Sequence, residues 1–211
     1  MSSVESGYVD VNDTTIYYEI AGEGDPIVLV HGFTLDTRMW DDQFTEFSKR
    51  YRVIRYDVRG FGKSSVPEEG KPYSHSRDLK ELLDHLNIKK TCVIGLSMGG
   101  SLAINFTLEY PDCVSSLITV DSVVNGYRLT SDFREWFFSL FDIARESSVE
   151  SAKEAFMNGA LFGSAMKNSL VADRLRGLIG SYSGWRFVND DPQESLDPSP
   201  NDRLREMRAR T

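Results

Sequence analysis

At 211 residues and 40% hydrophobic content, the chain is long enough to bury one sizeable core. Its 24 basic against 32 acidic residues give a net charge of −8, which repels phosphate backbones and anionic lipid and so argues against nucleic-acid and membrane-surface partners. Met1-Ser2-Ser3-Val4-Glu5 has neither a basic nor an apolar leader character, and no stretch approaches the roughly 20 apolar residues that span a bilayer, so a cytoplasmic location is expected.

The first elements are strands. Tyr8–Val11 and Thr15–Ile20 alternate around Asn12-Asp13 as a hairpin does, and Ile27–Val30 is a continuous apolar run suited to a buried parallel strand. That run opens into His31-Gly32-Phe33-Thr34. Trp40, Phe44 and Phe47 fall on one helical face; Val53–Tyr56 is the next strand, followed by Asp57-Val58-Arg59-Gly60-Phe61-Gly62-Lys63-Ser64. The Gly62-Lys63-Ser64 ending does not make a P-loop, because the glycine that pattern requires five residues earlier is Asp57, whose carboxylate would repel phosphates. Gly60-Phe61-Gly62 also lacks the third glycine of a dinucleotide fingerprint, which falls at Ser65. No cofactor and no metal are expected.

Leu79, Leu82, Leu83 and Leu86 give a second amphipathic helix at i, i+3, i+4, i+7 spacing. His85 lies off that stripe and reads as solvated, while His75, between Ser74 and Ser76, reads as polarity of the helix start. Cys92-Val93-Ile94 then leads into Gly95-Leu96-Ser97-Met98-Gly99, and small residues (Gly99, Gly100, Ser101) open a helix that Pro111 stops. A serine at the apex of a strand–turn–helix is the presentation of a nucleophile. Acyl transfer also needs backbone N–H groups aimed at the developing oxyanion, and these are assigned to Phe33 and Met98. Cys92 and Cys113 follow no pattern and are expected to be reduced packing residues.

The His31–Thr34 turn, the Asp57–Ser64 loop and the Gly95–Gly100 elbow, in this order, resemble the α/β-hydrolase family from about Gly7 to Asp121. Arg59-Gly60-Phe61-Gly62 and Gly95-Leu96-Ser97-Met98-Gly99-Gly100 are most similar to its esterase and enol-lactone hydrolase branch. The resemblance implies a mostly parallel sheet with helices on both faces, residues 1–123 forming the core through strand six. It implies a helical cap over 124–197, rich in Phe133, Trp136, Phe137, Phe138, Phe141, Phe156, Phe162, Trp185 and Phe187, whose inward aromatics would make an apolar pocket. A returning core helix is expected from Ser199 and Pro200 through Leu204 and Met207 to Arg210, within 198–211. In the family's triad order a histidine follows the serine, yet His31, His75 and His85 all precede Ser97. His31 stands near the elbow, but the resemblance gives it a loop-shaping role. Asp121, ending the strand Leu117–Val120, sits where some relatives carry the triad acid; without a histidine to pair with, it reads first as a polar strand terminus.

A crossover helix with no strand after it would leave strand six at an unpaired edge, so the 211 residues are expected to be the N-terminal portion of a longer hydrolase, its last strands, triad acid and histidine lying elsewhere. Two functions follow as expectations. One is a serine hydrolase forming a Ser97 acyl-enzyme with a small ester or lactone, the chain alone being inactive. The other is a hydrolase-like protein that only binds a small ligand.

Overall fold

The computed structural model describes residues 3–210. They form two compact units, Met1–Tyr127 with Pro192–Thr211, and Arg128–Asp191. The first unit is built on a six-stranded sheet: β1 (Glu5–Val11), β2 (Thr14–Ala21), β3 (Pro26–Val30), β4 (Arg52–Tyr56), β5 (Thr91–Leu96) and β6 (Val114–Val120), in the order β1-β2-β4-β3-β5-β6. β1 pairs antiparallel with β2, and β2 with β4, whereas β4-β3, β3-β5 and β5-β6 are parallel. Asn12 and Asp13 both adopt positive φ (45° and 60°), the two-residue turn geometry that matches the twist of the β1-β2 hairpin.

Successive residues of β3 serve opposite faces of the sheet. Ile27 and Leu29 join Val53, Ile94, Trp40 and Phe44 in one core cluster, which places α1 (Asp41–Phe47) and the 3₁₀ turn Thr37–Trp40 on that face. Val28, Val93 and Leu117 point the other way and are buried beneath α3 (Met98–Glu109), against which α2 (His75–His85) packs with Leu79, Leu82 and Leu83 fully enclosed. Beyond β5 the α1 face is open. Phe47, Tyr51, Cys92, Ile94 and Ile118 line a groove of about 610 Å³ there, with Ile118 nearly half exposed.

Two terminal features differ from expectation. The last core helix stops early: α8 covers only Pro200–Arg203, with Ser199 before it, and a 3₁₀ turn carries the chain to Glu206. Four residues make a single turn, which has too little hydrogen bonding of its own to propagate. The chain then extends, and Arg210 lies parallel to Ser116 on β6 and accepts a hydrogen bond from Leu117 N at 2.8 Å. The β6 edge is therefore partly covered, not wholly unpaired. Cys92 and Cys113 are both free thiols.

His75 also departs from its expected role. Ser74 caps α2, its Oγ accepting from Arg77 N at 3.3 Å, while the His75 ring is buried edge-on to Tyr73 with centroids 4.9 Å apart. Helix-start polarity on the sequence did not reveal that the chain from 192 to 196 lies over it: Gln193 bridges Tyr73, and Glu194 N donates to Tyr73 O at 2.8 Å.

The second unit is helical: α4 (Ser131–Glu146), α5 (Val149–Met157), α6 (Ser169–Ser181) and α7 (Trp185–Val188). Its aromatic rings pack on one another. Trp136 stacks on Phe156 at 5.9 Å, and Phe141 meets Phe187 edge-on at 5.6 Å. Tyr182 OH accepts from Arg186 N at 3.1 Å, and burial pushes its hydroxyl up to about 12.

Candidate active site

Ser97 stands between the end of β5 and the first residue of α3, with φ 52° and ψ −115°. A residue with a Cβ is strained there, and such strain persists only where the surroundings over-determine it. Here they do. Ser97 N donates to Val120 O at 2.9 Å, fixing the turn to the end of β6, and Ser101 N donates back to Ser97 O at 3.0 Å as α3 begins. The turn closes only because α3 can lie almost against the strands. A Cβ on Gly99 would come 2.5 Å from His31 O and overlap Val30 O, and a Cβ on Gly95 would come 2.6 Å from Gly100 N. Among the described residues nothing hydrogen-bonds the Ser97 hydroxyl, while its backbone is held at both ends.

The register of β3 on β5, with Val30 opposite Gly95, brings the His31–Thr34 turn beside the elbow. Gly32 faces the end of β5, and a side chain there would touch the Leu96 carbonyl at 3.5 Å. Thr34 takes positive φ (63°), its hydroxyl donating to Phe33 O at 2.6 Å, which turns the chain back after Phe33. Phe33 packs edge-on against Phe61, 5.9 Å between centroids, and so anchors the turn to the loop after β4. Phe33 and Met98 thus lie on the two segments that flank Ser97. The N-terminus of α3, twelve residues long, brings its positive dipole end to the same place. Asp121 follows Val120 at the tip of the adjacent strand, exposed and at positive φ (45°).

His31 is fully buried and committed on both sides. Its Nε2 accepts from Val58 N at 2.9 Å, so the proton sits on Nδ1, which donates to Gly32 O at 2.9 Å. Burial holds its pKa below the usual histidine value, against the opposing pull of Asp57. A neutral ring with both nitrogens engaged is a strut between two loops; it cannot take a proton from Ser97 without breaking one of them. His85 is exposed, 3.5 Å from Tyr18 OH, and His75 lies under the 192–196 segment, so neither stands at the elbow.

Two buried carboxylates shape the surrounding loops. Asp57, which on the sequence breaks a P-loop, accepts from Thr37 N at 2.7 Å and Lys63 N at 2.8 Å, tying two segments to the end of β4. Its pKa is raised by burial, offset in part by His31 and these two backbone donors. Asp78 on α2 receives a two-pronged contact from Arg59, at 2.9 and 2.7 Å, and Arg59 also donates to Asn12 O at 2.7 Å while lying over the Tyr73 ring. The signal for this pair was faint in the sequence, since the partners are separated by 19 positions and no local pattern couples them. Among the described residues no group of three or more His, Cys, Asp or Glu could hold a metal, and no helix is long and apolar enough to cross a membrane.

A mixed, mostly parallel sheet with a serine elbow at the end of its fifth strand defines an α/β hydrolase architecture. The sequence model of the alpha/beta hydrolase fold matches residues 25–206, and the chain belongs to that family. It is 33% identical over 203 residues, 90% of its length and 68% of the relative's, to the 2-hydroxy-6-oxononadienedioate/2-hydroxy-6-oxononatrienedioate hydrolase of Comamonas testosteroni. Among solved structures, the enol-lactonase of Burkholderia xenovorans LB400 aligns over 86% of this chain and 70% of its own at TM-score 0.71 and 25% identity. An esterase from Rhodococcus sp. ECU1013 aligns over 99% of this chain and 78% of its own at TM-score 0.78; at 23% identity that likeness concerns the fold. The chain spans 58% and 42% of the lengths of two other curated relatives it matches.

Proposed function

We propose that Ser97 is the nucleophile of a serine hydrolase acting on small esters or lactones. The observation that carries this reading is the backbone of Ser97, held at positive φ between a strand and a helix, where a residue with a Cβ is strained and a serine presents its hydroxyl. In the proposed reaction Ser97 Oγ attacks the substrate carbonyl and the backbone N–H groups of Phe33 and Met98 receive the oxyanion. The alcohol or enol leaves, and water then releases the acid from the acyl-enzyme. Asp121, at the tip of the neighbouring strand, reads first as a polar strand terminus and stands second to an acid carried outside this chain. The esters and lactones, which are cyclic esters, are chosen because an enol-lactonase stands among the structural relatives.

Activation needs a general base, and with His31 committed to Val58 and Gly32 the chain by itself supplies none. Loss of the triad histidine costs about 10⁶ in kcat, so the isolated chain should hydrolyse p-nitrophenyl acetate negligibly. The test is a fusion to a segment of a family relative that carries an acid after one strand and a histidine after the next. A fluorophosphonate should then modify Ser97, as read by mass spectrometry, and neither the fusion bearing Ser97→Ala nor the unfused chain should be modified. A second reading, a protein that binds a small apolar ligand without turnover, draws its support from the fully engaged His31. It takes over if the fusion folds and binds apolar ligands yet stays unlabelled.

A further inference from the structure

Behind the elbow helix lies a small polar chamber that the proposed chemistry does not use. Its walls are Ser74, His75 and Ser76 at the start of α2, Asn105 and Glu109 one turn apart on α3, and Glu194 on the segment re-entering the first unit; its volume is about 40 Å³. Asn105 is more than nine-tenths buried, and its Oδ1 accepts no hydrogen bond from any described residue; the same holds for the buried Oε2 of the half-buried Glu109. Two buried acceptors left without a donor are costly, each forfeiting the hydrogen bonds it made to water in the unfolded chain.

We infer that this chamber is a binding site for one water molecule, held between Asn105 and Glu109. The size admits a water, which needs roughly 10–15 Å³ of the space that measures about 40 Å³ here. The chemistry fits as well. Both unpartnered atoms are acceptors, and a water has two protons to give them, in a chamber that Ser74, His75 and Ser76 also line. The bound water links three pieces of chain distant in sequence: the start of α2, the middle of the helix that carries Ser97, and the segment that Glu194 fastens through Tyr73 O and its ion pair with Arg77.

The experiment is NMR on the full chain in plain buffer. Water should give rotating-frame cross-peaks of the sign of a long-lived bound molecule to the side-chain amide protons of Asn105 and to the His75 ring. Replacing Asn105 by Leu should abolish the cross-peak to the His75 ring and speed exchange of the Glu194 amide by roughly fivefold, the scale of one net hydrogen bond. Should N105L fail to fold, Glu109→Leu at the half-buried end of the chamber makes the same test. Absence of the cross-peaks in the parent chain, or persistence of the one to the His75 ring in both variants, overturns the inference.

Discussion

The elbow makes a quantitative demand on Gly95. An alanine Cβ there would lie 2.6 Å from Gly100 N, about 0.8 Å short of the 3.4 Å at which ordinary contact begins, and it would overlap the Gly99 carbonyl as well. Both obstacles are backbone of the first turn of α3, so no side chain can swing aside; the helix must lift from the sheet, or the strand must bend. Either movement disturbs Ser97 N→Val120 O and the packing of Leu102, Ala103 and Phe106. Overpacking costs 1–3 kcal/mol, and a clash with rigid backbone belongs at the top of that range, about 3 kcal/mol. For a protein of this size each kcal/mol moves the midpoint by about 2–4 °C, so Gly95→Ala should melt about 6–12 °C lower by circular dichroism. Gly177, inside α6 with nothing within 4 Å of its would-be Cβ, is the control of opposite sign: alanine there should gain about 1 kcal/mol from helix propensity and melt higher. A Gly95→Ala protein melting within about 2 °C of the parent would refute the close-packing account of the elbow.

Other consequences are measurable. His31 is buried with its pKa lowered, so the unfolded chain takes up a proton before the folded one does: stability is full above about pH 6.5 and falls as pH drops from there toward the lowered folded value, by at most about 1.4 kcal/mol per pH unit. Urea titrations at pH 7.5, 6.5 and 5.5 should show this decline, and His31→Gln should flatten it. Arg59→Met leaves the Asp78 carboxylate buried without its cation and should cost about 3–5 kcal/mol in the same titrations; Arg59→Met,Asp78→Leu should recover much of the loss. Deleting residues 207–211 removes the partner of Leu117 N and bares more of β6, so light scattering should show stronger self-association than in the parent chain.

The sheet and the elbow were readable because their signals are local: apolar runs of strand length, an Asn-Asp turn, and a serine between glycines. The leucine stripe of α2 was equally plain, since a 3.6-residue period needs no tertiary information. What escaped the sequence depends on pairings across the fold. Arg59 and Asp78 meet only because the loop after β4 and the start of α2 converge, and either alone looks like a surface charge. His75 looked like a helix-start residue because the segment that buries it comes more than a hundred positions later. The last helix ended early because Ser199-Pro200 specifies how a helix begins, whereas its length depends on contacts beyond that first turn. For the site, Ser97, Phe33 and Met98 could be picked out from chemistry and order, but the strut role of His31 rests on Val58 N, a backbone atom that carries no sequence signature.

The contact between Arg210 and β6 also works as a ruler. It sets Arg210 level with Ser116 in a parallel pairing, and in such a ladder both strands advance at the same rise per residue. Any polypeptide grafted after Arg210 in that register would draw level with Val120 four residues on, and with Asp121 one residue later, at the end of the sheet where Ser97 stands. The length of a working linker in the fusion experiment is thereby dictated in advance. A graft one residue longer or shorter within the strand would turn its inward side chains outward, and one that strayed further would deliver its acid to the wrong level of the sheet.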